Sequence, residues 1–237
     1  MDRPELDFRG RNLVVTGGTG ALGRAVVLAL IGSGAHCHVP CHSAAGDSDL
    51  PFSRHERVKL YPGVDLADET AVADFYGKIG AVWGSIHLVG GFASGPFIET
   101  SRQDLMAQLD TNLVSCFLCC RAALRAFGED GGRIVNVAAR PALEFRAGSG
   151  MVAYTIAKSG VAALTVALAE EVARNGVLVN AVAPSVMDTP ANRAAMPRAD
   201  HALWPTVEEV AATILFLASP ANRVTRGAVT PVYGRSR

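Results

Sequence analysis

Tyr154 and Lys158 form a Tyr-x-x-x-Lys pair, a spacing that puts both side chains on one face of a helix. A tyrosine hydroxyl with its ordinary pKa of ~10 is a weak acid at neutral pH. A neighbouring ammonium favours the phenolate, lowers that pKa and readies the group for proton transfer. Far upstream, Thr16-Gly-Gly-Thr-Gly-Ala-Leu-Gly23 joins the apolar run Leu13–Thr16 to an apolar helical stretch. Gly17 permits a tight turn, Gly20 lets backbone amides approach a pyrophosphate, and Gly23 lets the helix pack on its strand. Thr19 and Leu22 lie within the same turn. The helix N-terminus adds the positive end of its dipole. A dinucleotide is the ligand this turn fits, and the Tyr/Lys pair supplies proton chemistry beside it.

Elements that would position these groups are legible as alternation. Asn12–Thr16, Ala35–Val39, Val58–Tyr61, Ile86–Val89, Arg133–Val137, Val177–Val182 and Ala228–Val232 read as strands. Helical patterns lie near Ala21–Ile31, Glu69–Ile79, Arg102–Phe127, Val152–Arg174 and Val207–Leu217. The expected fold is α/β, a doubly wound parallel sheet of about seven strands with helices on both faces. No composition break divides the chain, so residues 1–237 are expected to form a single dinucleotide-binding domain. Asn175-Gly176 is placed to end the long fourth helix with a left-handed residue. Pro190, Pro197 and Pro205 forbid a continuous helix over Met187–Pro205. That stretch follows a strand's carboxyl end, where ligands bind in open α/β sheets, and reads as a substrate lid over 187–205 or as a tolerated surface insertion.

The bulk composition narrows the partners. The 237 residues carry 22 basic and 22 acidic side chains, 49% hydrophobic and 19% charged. A balanced charge offers nothing to draw nucleic acid or anionic lipid, so a small-molecule substrate is favoured. The opening Met-Asp-Arg-Pro-Glu has no apolar signal core, and no uninterrupted apolar run approaches the ~18 residues of a membrane span. A cytoplasmic location is expected. Five cysteines, an odd number, read as reduced thiols; Cys116-x-x-Cys119 sits in an apolar helical stretch and reads as core rather than as a redox pair. His36 and His38 share one strand face without an acidic or cysteine partner at ligand spacing, so no metal is expected.

With these residues in view, the chain resembles the short-chain dehydrogenase/reductase family along essentially its whole length. Asp104–Asn112 with Leu113 is similar to that family's asparagine-bearing helix, Ile134-Val-Asn-Val137 to its fifth strand, and Asn180-Ala-Val-Ala-Pro184 with Thr189 to the stretch that clasps nicotinamide. The resemblance implies a Rossmann-like fold and an NAD(P)-dependent oxidoreductase. It also implies hydride transfer to a carbonyl, quinonoid or imine-type carbon. Tyr154 would be the proton donor, Lys158 its activator, and Asn112 the holder of a helix kink and relay water. Pro184, Val186, Gly90 and Gly91 would line the cofactor. The family implies a homodimer or homotetramer, packed through Arg102–Phe127 and Val152–Arg174.

Departures from the family pattern are specific. Ala21 replaces the middle glycine, Gly90-Gly91-Phe92-Ala93 stands for Asn-Asn-Ala-Gly, and Pro184-Ser185 for Pro-Gly. Ala139 occupies the place of the substrate-polarising serine. Gly-Gly-aromatic-Ala, a serine-less fifth strand and Asp188-Thr-Pro-x-Asn-Arg193 resemble dihydropteridine reductase, whose quinonoid substrate is an easier hydride acceptor. Pterin reduction is therefore an alternative, as is a non-catalytic, regulatory dinucleotide-binding protein. An acid about 20 residues past the glycines would hold a ribose 2′-hydroxyl, but the second strand ends Val39-Pro40-Cys41-His42-Ser43. Asp47 and Asp49 lie farther along. His42 offers a weak cation for a 2′-phosphate, so NADP(H) is favoured over NAD(H). Asp65, followed by Leu66, is placed to bond an adenine amino group or simply to begin a helix. Phe92, Arg140, Ser149, Met187 and Trp204 are the candidate substrate residues. Arg140 either binds a substrate oxyanion or is a solvated loop arginine.

Overall fold

The computed structural model describes residues 6–43 and 49–236. Asp47 and the first five residues fall outside that range. Seven strands form one sheet in the order β3-β2-β1-β4-β5-β6-β7, every neighbouring pair parallel. They are β1 Asn12–Thr16, β2 His36–Cys41, β3 Val58–Pro62, β4 Gly84–His87, β5 Gly132–Val137, β6 Val177–Pro184 and β7 Val229–Val232. This is the Rossmann arrangement: strand order reverses between β1 and β4, opening a crevice at their carboxyl ends. β6 is buried at all eight positions, the continuous apolar run of a strand covered on both faces.

Alternation along β1 divides the core. Leu13 and Val15 face one side with α1 (Ala21–Gly32) and α8 (Val207–Ala218); Val14 faces the other with α2 (Glu69–Gly77), α4 (Ser115–Ala126) and α6 (Val152–Glu171). Each fully buried Leu, Ile or Val among them contributes roughly 1.5–3 kcal/mol. By length and composition α6 is apolar enough to cross a membrane, although Tyr154, Lys158 and Thr165 interrupt its apolar run. Here it packs on β5 and β6 through Ala157, Val161 and Ala169.

Three expectations needed correction. The helix expected over Arg102–Phe127 is two: α3 (Arg102–Leu109), a π-helical turn at Asp110–Val114, then α4. Asn112 sits inside that π turn, where its side chain bonds backbone rather than continuing a uniform helix. The fourth long helix ends at Glu171, and a 3₁₀ turn, Ala173–Asn175, leads into Gly176 at φ +71°. Two short helices, α5 (Arg140–Leu143) and α7 (Pro190–Ala195), were not anticipated. Pro190 opens α7 at its first turn, behind the Thr189 cap, because a residue without an N–H is tolerated there.

Candidate functional site

The glycine turn is built by close approach. Gly17 has φ +67°, and a Cβ on it would lie 2.9 Å from the backbone of Leu88 and Val89. A Cβ on Gly23 would meet Gly18 Cα at 2.6 Å and the Gly17 carbonyl. Gly20 donates its N–H to Gly17 O at 3.1 Å and caps α1 without a side chain. No acidic side chain occupies the first turn of α1, so the dipole's positive end is left for an anionic ligand. Arg24, unremarked in the sequence, donates from Nε to Thr19 O at 2.8 Å and braces the turn. Leu22 packs into the core, so only its backbone is free to face a ligand. These cradles, which a single methyl would fill, fit a pyrophosphate.

Across the crevice, Lys158 is 4% exposed and donates from Nζ to Val137 O at 2.8 Å. Asn112 donates from Nδ2 to Gly91 O at 3.0 Å and accepts from Gly91 N at 3.2 Å. A Cβ on Gly90 would stand 2.7 Å from Asn112 Oδ1 and 3.0 Å from Lys158 Nζ. The bare backbone of Gly90 is thus what lets both side chains approach it so closely. Phe92 packs its ring edge-on against Tyr154, centroids 5.2 Å apart. The structure brings Tyr154, Lys158, Asn112, Gly90, Gly91 and Phe92 into one place. The acid–base balance differs from the expectation that the ammonium would lower the Tyr154 pKa. Burial pushes the Tyr154 hydroxyl up to about 12, and burial brings Lys158 down to about 8. Burial is what raises Tyr154, and the Lys158 ammonium donates to the Val137 carbonyl.

The remaining candidates fall into two groups. Thr189 is buried and accepts from Asn192 N at 3.1 Å as the α7 cap. Pro184 ends β6, Val186 is exposed beyond it, and Met187 packs against the core. Trp204 packs tilted against His201, ring centroids 4.6 Å apart, within residues 187–205. His42 is exposed at the end of β2, beyond the buried Cys41. Asp65 accepts from Ala67 N at 2.9 Å in a turn before α2, while Asp68 is that helix's cap; Leu66 is buried. Ser149 is exposed after a 3₁₀ turn. Ala139, which the resemblance sets in the place of the family's serine, is buried and caps α5. Arg140 is not presented as a free cation: its Nε meets Glu144 at 2.7 Å and its guanidinium lies 5.1 Å over Tyr233. Glu144, one turn on, and the distant Tyr233 were missed, and only the i,i+4 spacing of the first pair was readable.

Beneath the site lies a buried polar network. His87 Nδ1 is 2.8 Å from Asn136 Oδ1, and its Nε2 2.8 Å from Ser85 Oγ, which in turn bonds the Tyr76 hydroxyl at 2.7 Å. Asn136 donates to Thr165 Oγ1 at 2.9 Å. Ligand atoms of His87, Cys116 and Cys120 lie within 4.8 Å of one another, yet both ring nitrogens already have partners. All five cysteines are buried free thiols, and Cys116 bonds Cys120. His38 holds Tyr61 and Asn12 at 2.8 and 3.3 Å, and burial brings it down to about 4.

With this geometry in hand, comparison with known proteins decides the family. The short chain dehydrogenase profile matches residues 11–200. This chain belongs to the short chain dehydrogenase family. Among relatives, 2,3-dihydroxy-2,3-dihydro-p-cumate dehydrogenase of Pseudomonas putida is 30% identical over 258 residues, covering 100% of this chain and 98% of that one. Cis-4-hydroxycyclohexanecarboxylate dehydrogenase of Sinomonas cyclohexanicum is 33% identical over 243 residues, 96% of each chain. A short-chain dehydrogenase/reductase from Brucella melitensis, titled a glucose/ribitol dehydrogenase, superposes with TM-score 0.88 at 27% identity, covering 97% of this chain and 98% of that one. ElxO with NADP bound gives TM-score 0.86 at 25% identity, over 94% of this chain and 97% of that one. Short chain dehydrogenases of this kind are oxidoreductases of hydroxyl and carbonyl groups that use nicotinamide dinucleotides.

Proposed function

We propose that this chain is an NADP(H)-preferring oxidoreductase that interconverts carbonyl and hydroxyl groups on an uncharged small molecule, with Tyr154 as proton donor and acceptor. Lys158 and Asn112 at the bare backbone of Gly90, with Tyr154 packed on Phe92 two residues along, carry this reading. A bound nicotinamide dinucleotide supplies the hydride when reduction is the direction. The glycine turn would hold its pyrophosphate, and Lys158 and Asn112 would border the reacting end. Tyr154 delivers its phenolic proton to the developing alkoxide, and Lys158 stabilises the phenolate left behind. Ala139 gives the carbonyl oxygen no hydroxyl donor, which favours acceptors already activated, cyclic or quinonoid ketones among them. With Arg140 paired to Glu144, that wall carries a compensated charge and favours a neutral substrate. The relative named for a p-cumate diol supports a ring hydroxyl as the reacting group; its substrate carries a carboxylate, so the neutral charge rests on the Arg140–Glu144 pair alone. The NADP-bound ElxO and the missing acid at the end of β2 support the cofactor class.

Further readings accompany this one. Residues 1–237 act as one dinucleotide-binding unit with 187–205 as substrate lid. Exposed Phe117, Ile156 and Val166 on α4 and α6 suit a second copy of the chain. Five free thiols suit a reducing, cytoplasmic compartment.

The pH dependence tests the assignment. Lys158 is an ammonium below about 8 and loses its charge above it, while Tyr154 keeps its proton up to about 12. The kcat/KM for reduction is therefore expected to fall as pH rises through about 8. Stability moves the other way in that window. The unfolded lysine holds its proton up to its ordinary 10.5, so between about 8 and 10.5 unfolding takes up protons, and raising the pH stabilises the fold. A kcat/KM that stays flat from neutral pH to about 10 would contradict the role given to Lys158.

A further inference from the structure

The segment that follows β7, Tyr233–Ser236, touches both walls of the substrate cleft. Its backbone reaches the lid: Arg235 N donates to Leu203 O at 2.8 Å, and Ser236 Oγ donates to the same carbonyl at 3.2 Å. Gly234 just before them has φ +61°, and a Cβ there would stand 2.7 Å from Pro205 N and 2.8 Å from Leu203 O. Backbone is laid directly on backbone. Ser185 Oγ donates to Tyr233 O at 3.1 Å, and Ser236 N closes the turn on the same oxygen at 3.1 Å. On the other wall, the Tyr233 ring lies under the Arg140 guanidinium, and its hydroxyl engages the Glu144 carboxylate that holds Arg140 Nε. Arg140 opens α5, immediately after the vacant serine position at Ala139.

The lid itself is tied internally. Asp188 N donates to Pro205 O at 2.9 Å, Asn192 Nδ2 to Met187 O at 2.8 Å, and Arg193 NH2 to Asp188 at 2.7 Å. His201 Nε2 stands 2.9 Å from Met196 O. Such a body moves as a unit, so what sets its position is how it is hung. Arg235 N and Ser236 Oγ hold it from outside at the single carbonyl of Leu203.

We propose that Tyr233–Ser236 is a strap coupling the lid to the α5 wall, with Tyr233 a positioning residue for the substrate. The proposal rests on the reading of 187–205 as a substrate lid. Substrate affinity should depend on the strap, whereas cofactor binding and the chemical step should not, because Tyr233 touches neither the glycine turn nor the Tyr154–Lys158 pair.

Three variants test it. Tyr233→Ala removes the ring, Tyr233→Phe keeps the stack beneath Arg140, and Arg235→Pro deletes one N–H donated to Leu203. The first readout is tryptic cleavage within the lid, at Arg193 and Arg198, on protein without substrate. Tyr233→Ala and Arg235→Pro are expected to speed it roughly tenfold, with Tm unchanged and Tyr233→Phe close to wild type. The second readout is steady-state kinetics: KM should rise roughly tenfold in the same two variants, with kcat and NADPH affinity within about twofold of wild type. Unchanged lid cleavage and unchanged KM would overturn the strap, and so would a parallel loss of NADPH affinity. If the wild-type protein turns over no acceptor, the catalytic reading fails, yet the cleavage rates still decide the strap.

Discussion

Tyr154→Phe should lower kcat by roughly 10²–10⁴ while leaving NADPH affinity within about twofold. The substitution deletes one oxygen and keeps the ring that packs against Phe92, so the helix and the cleft wall are preserved. What is lost is the proton. Burial holds the Tyr154 hydroxyl protonated up to about 12, so in reduction it is a loaded donor at every working pH. Its weakness as an acid is offset only when negative charge develops on the substrate oxygen beside it and Lys158 faces the resulting phenolate. Ala139, at the place that resemblance gives the serine, carries no hydroxyl, and Ser149 is exposed. The loss should therefore sit near the upper end of the range. Single-turnover absorbance of NADPH mixed with acceptor measures it; a kcat within about threefold of wild type would place the proton source elsewhere.

Gly23→Ala is expected to weaken NADPH binding by roughly 100-fold or more, about 2.7 kcal/mol. The added methyl would stand 2.6 Å from Gly18 Cα and closer still to the Gly17 carbonyl. Both are backbone atoms of the phosphate-binding turn, and neither can rotate away. Relief requires α1 to lift from the turn or the turn to open, and either displaces the N–H groups that would face a pyrophosphate. Ala21, one helical position from the cap, shows that a methyl is accepted where it points outward. Fluorescence titration with NADPH reads the effect, and a melting curve checks that the sheet is intact. Tight binding by a folded Gly23→Ala protein would mean the turn holds no phosphates.

The fold was readable in the sequence because parallel strands buried on both faces read as near-continuous apolar runs, and Leu13–Thr16, Arg133–Val137 and Val177–Val182 are such runs, broken by Arg133, Asn136 and Asn180. Strand ends slipped by one or two residues: β4, expected over Ile86–Val89, runs Gly84–His87, and its last residue is held by Asn136 and Ser85. Long-range backbone contacts left no local trace. Nothing near Lys158 in the chain says that Val137 O will hold its ammonium, and nothing near Arg140 announces Tyr233. The acid–base prediction failed for a related reason. Helical spacing brings Tyr154 and Lys158 to one face, but depth of burial decides their protonation, and depth is a property of the packed layers. In the lid no continuous helix forms over Met187–Pro205, as its prolines require, while the short α7 that Pro190 starts was not anticipated.

The most direct test is to mix purified protein with NADPH or NADH and a panel of acceptors: cyclic ketones, quinones, a quinonoid dihydropterin and carboxylate-bearing ketones. Cofactor fluorescence reports binding, and loss of cofactor absorbance reports turnover. The expected result is saturable binding of both cofactors, tighter for NADPH, and oxidation with at least one class of uncharged acceptor. Tight cofactor binding without oxidation by any acceptor would contradict the catalytic role of Tyr154, leaving a dinucleotide-binding protein that does no redox chemistry.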